Sequence, residues 1–160
     1  MATRSLIAKQ IAEDKFRTIY CHWDGYLTHN GRVLLDHYNT PEKLDELLAL
    51  GPISFLAPKL NPDPNMPHTF ENPQQDVVQA YARDRGEEFH PAVELSFDEL
   101  MDDRTWADYV YIFDQEGKWK YVQPWKEDKS LRDVKEDLEA PELTEEECPD
   151  IDDVDDSPQQ

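Results

Sequence analysis

The chain has 160 residues, with 36 Asp and Glu against 16 Lys and Arg, and a formal net charge of -20. One domain around one core is the default at this length, and so acidic a surface argues against a nucleic-acid backbone as direct ligand, because phosphate binding depends on Lys and Arg. No apolar run approaches the roughly 18–20 residues that cross a bilayer, and Leu6-Ile7-Ala8 is too short for a secretory leader; a cytoplasmic protein with basic partners, no membrane and no cofactor is expected.

Ser5-Leu6-Ile7-Ala8 and Phe16 to Trp23 read as two strands joined by the polar stretch around Ala12-Glu13-Asp14. Asp24-Gly25 supplies turn chemistry after the second. Leu34 and Tyr38 then stand one helical turn apart, and Thr40-Pro41 opens a second helix with a side-chain cap and a proline at its first position. Leu44, Leu47 and Leu48 form its apolar stripe and Gly51 ends it. Pro52, Pro58, Pro62, Pro64, Pro67 and Pro73 mark a surface loop. Asn72-Pro73 is expected to start a helix that turns Val77, Ala80 and Tyr81 inward and stops at Gly86. Ser96 and Glu99 have capping-box spacing. Tyr109–Phe113 and Lys118–Val122 flank the turn Asp114-Gln115-Glu116-Gly117 as a hairpin, with Trp119 and Tyr121 on its buried face. Strands at both ends with helices between predict an α+β domain: an antiparallel sheet from the N-terminal and C-terminal strand pairs, packed with two or three helices and followed by an acidic C-terminal tail.

The charge is unevenly spread. From Glu127 to Gln160 there are 15 acidic residues and three basic ones, so this stretch carries -12 of the total. From Glu136 onward there are 12 acids and no base. Such a run repels itself and has little apolar surface to offset its ordering entropy. The folded domain is therefore expected to span 1–126, and 127–160 to be an acidic tail in which Leu131, Val134 and Leu138 permit a short helix before a largely disordered end.

Candidate chemistry is sparse. Cys21 and Cys148 lie in an apolar run and in the acidic tail, which does not suggest a disulfide framework. The five histidines, His22, His29, His37, His68 and His90, match no paired-ligand spacing, and Asp150, Asp152 and Asp153 lack the Gly and Glu of a calcium loop; no metal is expected. The densest cluster is Tyr20-Cys21-His22-Trp23-Asp24-Gly25-Tyr26. A Cys nucleophile with His22 as base is set aside, because adjacent strand residues alternate faces. A pocket with Trp23 and Tyr26 as an aromatic floor and His22 and Asp24 as polar rim suits a flat ligand such as a nucleobase, with Arg83 and Arg85 for its phosphate. Such a nucleotide-sequestering protein is one reading of the chain, provided the Arg pair lies near the Tyr20–Tyr26 segment.

Ala2-Thr3-Arg4-Ser5 with Ile7, Ile19 to Tyr26, Gly31 to Tyr38, Lys43 to Gly51 and Ala80 to Gly86 resemble small uncharacterised proteins of tailed phages and prophages. The resemblance covers most of residues 1–122 and implies a genomic setting rather than a reaction. Together with the charge it suggests a non-enzymatic inhibitor in the host cytoplasm, binding a basic nucleic-acid-handling or defence protein by placing carboxylates where phosphates would lie. Glu145, Glu146, Glu147, Asp152, Asp153, Asp155 and Asp156 are the expected contact residues. Twelve charges over residues 136–160 fall about every 3 Å along a helix and about every 7 Å along an extended chain, against roughly 3.4 Å along one DNA strand. Only a partly helical segment matches that spacing.

Overall fold

The computed structural model describes residues 3–102 and 107–140. Strand β1 (Ser5–Ala12) and strand β2 (Lys15–Cys21) form the expected antiparallel hairpin, with Ser5 opposite Cys21 and Ile7 opposite Ile19. The Asp14 carboxylate at its turn accepts from the Phe97 amide at 2.9 Å, fixing the turn to a later helix. After β2 a π-helical turn (Leu27–Gly31) leads into α1 (Arg32–His37). Helix α2 (Pro41–Leu48) starts where the cap chemistry places it: the Thr40 side chain accepts from the Lys43 amide, and Leu44, Leu47 and Leu48 are buried. Gly51 follows at φ 75°, and a Cβ there would stand 2.3 Å from the His90 carbonyl oxygen, so both conformation and close approach require glycine.

The chain continues through β3 (Ile53–Phe55), β4 (Gln79–Ala80), α3 (Tyr81–Arg85), β5 (Val93–Leu95), α4 (Phe97–Leu100), β6 (Tyr109–Phe113), β7 (Trp119–Val122), β8 (Arg132–Asp133) and α5 (Val134–Leu138). Among the described residues the strands make one sheet in the order β4-β3-β2-β1-β6-β7-β8, with β5 also paired to β2. On one face Ile7, Ile19, Cys21, Tyr111 and Trp119 meet the apolar sides of α1, α2 and α5. On the other, Leu6, Ala8, Val110, Ile112 and Val122 meet Leu100 and Met101 at the end of α4. The molecule is an α+β domain, as its sequence suggests.

Three features differ from expectation. The strand pairs are antiparallel, but they join in parallel: β1 runs parallel to β6, and β2 to β3 at Cys21–Ile53. Strand β6 is buried at all five positions, as a strand covered on both faces must be. Second, no helix starts at Pro73. Residues 76–78 lie along the proline-rich loop instead, where the Lys59 amide donates to Asp76 and the Val78 amide to Lys59, and only Tyr81–Arg85 is helical. Val77 and Val78 are buried by that pairing, so tertiary contact overrides the helical spacing. Third, the packed unit continues past Lys126. Arg132 and Asp133 pair with β7, Asp133 caps α5, and Val134 and Leu138 are buried in the core. The short helix expected from the spacing of Val134 and Leu138 is this α5, docked on the sheet by those two side chains.

Candidate functional site

The Tyr20–Tyr26 segment stands at the end of β2, where pairing passes to β3: the His22 amide donates to Ile53 and the Trp23 amide to Ser54. Gly25 donates to the Thr3 carbonyl at 2.7 Å, so close that a Cβ on Gly25 would stand 2.6 Å from that oxygen. Tyr111 donates to the Gly25 carbonyl at 2.6 Å. These bonds hold the segment against the sheet and leave the side chains of His22, Trp23, Asp24 and Tyr26 half-buried.

Within it, Tyr20 Oη lies 2.7 Å from His22 Nδ1, and the His22 ring meets Trp23 edge-on with centroids 4.6 Å apart. Burial raises the Tyr20 hydroxyl above its ordinary value, against the pull of Arg4, so the phenol stays protonated. Tyr26 Oη donates to Asp24 Oδ1 at 3.3 Å, and His29 Nε2 donates to the Leu56 carbonyl. Cys21 points to the opposite face. Its Sγ is bonded by Asn30 Nδ2 at 3.4 Å, and burial pushes the thiol up to about 12. A thiol that protonated, with an amide rather than a base beside it, has no nucleophilic activation.

The two segments of the nucleotide reading both adjoin β3: the Trp23 amide donates to the Ser54 carbonyl, and the amide of Tyr81, the first residue of α3, to the Pro52 carbonyl. The arginines, however, are engaged elsewhere. Arg83 donates to Asp84 through Nε and Nη2, to the Leu60 carbonyl through Nη1 and to the Val78 carbonyl through Nη2. Arg85 pairs with Glu87 at 3.2 Å and lies over the Phe70 ring, which stacks on Tyr81. Arg83 thus ties the proline-rich loop to α3 and turns no donor to a phosphate beside Trp23.

Asp84 carries the rest of this clasp. It accepts from the Ala80 amide at 2.8 Å and lies 3.4 Å from His68 Nε2, both side chains being 4% exposed. Because His68 Nδ1 accepts from the Gln74 amide, the ring proton stands on Nε2, facing the carboxylate. Gln74 in turn donates to the Asp63, Met66 and Pro67 carbonyls. This His–Asp–Arg group did not emerge from sequence spacing, since its members meet only once the proline-rich loop has folded back. Its ligands are all from the chain, which makes it a loop clasp.

Among the described residues no three His, Cys, Asp or Glu side chains come together to hold a metal, and no helix is long and apolar enough to cross a membrane. An open depression of about 560 Å³ lies between Lys9, Pro41 and the Phe113–Gly117 turn, bounded by none of the candidate residues. Glu145, Glu146, Glu147, Asp152, Asp153, Asp155 and Asp156 lie outside the described residues. What the structure does place is an acidic helical layer. Asp36 of α1, Glu42 and Glu46 of α2, and Glu136 and Glu139 at α5 are exposed, and all three helices cover the same sheet face. Several cations there already have partners: Lys9 pairs with Asp45 at 2.9 Å, Lys43 lies over the Tyr38 ring, and the exposed Arg132 pairs with Asp137 at 2.7 Å. Arg32 and Lys135 are the exposed bases on these helices. The chain matches no protein-family model, no curated protein and no solved structure.

Proposed function

We propose that this protein is a phage-type inhibitor that acts by binding rather than catalysis, engaging a basic, nucleic-acid-handling host protein through its carboxylate surface. The observation that carries this reading is that the exposed carboxylates Asp36, Glu42, Glu46, Glu136 and Glu139, on or beside α1, α2 and α5, outnumber the exposed bases of the same helices, Arg32 and Lys135. The sequence becomes acid-only from Glu136, within α5, so this layer leads directly into the most acidic part of the chain. A field of one sign steers a partner of the other and competes for the groove in which that partner holds phosphates.

Capture from bacterial lysate on the immobilised full chain, with mass spectrometry of the bound proteins, tests the reading. Basic nucleic-acid-binding proteins should dominate the bound set, be displaced by duplex DNA, and be lost when Glu145, Glu146, Glu147, Asp152, Asp153, Asp155 and Asp156 are changed to Gln or Asn. Equal capture by the neutralised variant, untouched by DNA, would overturn it. The nucleotide reading gains nothing from the structure, given where Arg83 and Arg85 turn.

A further inference from the structure

The proline-rich loop is held at two levels. Its stem is fixed by the backbone and by Arg83: the Lys59 amide donates to Asp76, the Val78 amide to Lys59, and Arg83 to the Leu60 and Val78 carbonyls. Its outer part is gathered by Gln74, whose side-chain oxygen accepts from the Asp63 amide at 2.8 Å and whose side-chain nitrogen donates to the Asp63, Met66 and Pro67 carbonyls. Gln74 is tied down in turn by its backbone amide, which donates at 3.0 Å to Nδ1 of His68. The side chain that anchors the hub of the outer loop is thus a histidine, the residue type whose charge changes near neutral pH.

The His68 side chain is 4% exposed, as is that of Asp84, whose carboxylate faces Nε2 at 3.4 Å without a hydrogen bond. The neutral ring suits both neighbours, because Nδ1 accepts from Gln74 while Nε2–H points at the carboxylate. A second proton must go to Nδ1. It sets an N–H against the Gln74 N–H, donor on donor, and its charge draws the ring towards Asp84 and so away from Gln74. Asp84 stays ionised to receive that charge, since, against the effect of its burial, Arg83 and the Ala80 amide hold it below its ordinary value. The other titratable groups nearby are engaged or exposed. Arg83 is bound to Asp84, Arg85 lies over the Phe70 ring and pairs with Glu87, Tyr81 stacks on Phe70 with its hydroxyl raised by burial, and the loop's own Asp63, Glu71 and Asp76 are exposed.

We infer that the proline-rich loop is a proton-released strap: protonation of His68 at Nδ1 detaches Gln74 and frees residues 63–67, while Arg83 keeps the stem in place. The proton drives release because it binds the freed state, in which Nδ1 has no donor set against it, more tightly than the held one. The device is independent of what the protein binds.

The test is an NMR titration of the isotope-labelled full chain from pH 7.5 to 5.0, reading the His68 ring nitrogens and the protection of backbone amides against exchange. It is run beside His68→Asn, whose side-chain oxygen offers the Gln74 amide an acceptor that does not titrate. At pH 7.5 the His68 ring should carry its proton on Nε2. At pH 5.5 the amides of Asp63 and Gln74 should be at least tenfold less protected in the parent than in His68→Asn, with those of Lys59 and Val78 equal in both. Should the variant fail to fold, the parent alone decides: Asp63 and Gln74 must change with the same midpoint as the His68 ring. A proton on Nδ1 at pH 7.5, unchanged protection down to pH 5.0, equal loss in His68→Asn, loss that extends to Lys59 and Val78, or separate midpoints for ring and loop would each overturn the inference.

Discussion

Cys21 and Asp84 show how burial sets the behaviour of single residues. With its thiol pushed up to about 12 and bonded by Asn30, Cys21 is thiolate in on the order of one molecule in ten thousand or fewer at pH 8. Iodoacetamide at that pH should leave the Cys21 peptide unmodified in the native protein and label it fully in guanidinium; native labelling at the rate of a free cysteine would contradict this burial. For Asp84, burial works to raise the carboxyl, but the bonds from Arg83 and the Ala80 amide outweigh it and hold the group below its ordinary 3.8. A folded value below the unfolded one gives stability that is complete above the unfolded value and lost as pH falls through the folded one. Asp84→Asn, which leaves Arg83 without its charge partner, should cost about 3 kcal/mol near neutrality. The gap in urea midpoint between parent and variant should narrow as pH is lowered from 6 to 3, and a constant gap would show that Asp84 is not held as the clasp requires.

At the scale of elements, α5 is the piece whose removal is most informative. Val134 and Leu138 are buried, Tyr121 donates to Asp137 at 2.6 Å, and Arg132 bonds the same carboxylate. Burying a Val and a Leu contributes roughly 1.5–3 kcal/mol each. A 1–126 truncation should therefore melt on the order of 10 °C below a 1–140 truncation. Equal melting would return the domain edge to Lys126. Local chemistry made several elements legible from sequence: the Thr40-Pro41 start, the reciprocal bonds of Ser96 and Glu99, and the Asp114–Gly117 turn, where Asp114 accepts from the Glu116 and Lys118 amides. These depend on neighbours a few residues away. The Pro73 helix misled because the periodic Val77 is buried by Lys59 rather than by a helix face. The parallel β1–β6 join was invisible because it links strands separated by most of the domain. The Tyr20–Tyr26 segment was legible as a strand end through the turn chemistry of Asp24-Gly25. The His68–Asp84 contact depends on how a long loop closes, which no spacing encodes.

Over the whole molecule, the net charge of -20 acts on stability and on encounter alike. Self-repulsion among exposed carboxylates is screened over a Debye length of about 10 Å at 0.1 M salt. Raising NaCl from 20 to 300 mM should therefore raise the melting temperature of the full chain; a fall would mean that favourable ion pairs outweigh repulsion. Binding to a basic partner should respond in the opposite sense, because the same screening removes the steering. The central claim, that a carboxylate surface takes the place of phosphates, is tested most directly by the association rate of the principal captured partner measured from 50 to 300 mM NaCl. A rate that falls steeply with salt, by tenfold or more, together with competition by duplex DNA, is the predicted result. A rate flat in salt and indifferent to DNA would contradict it.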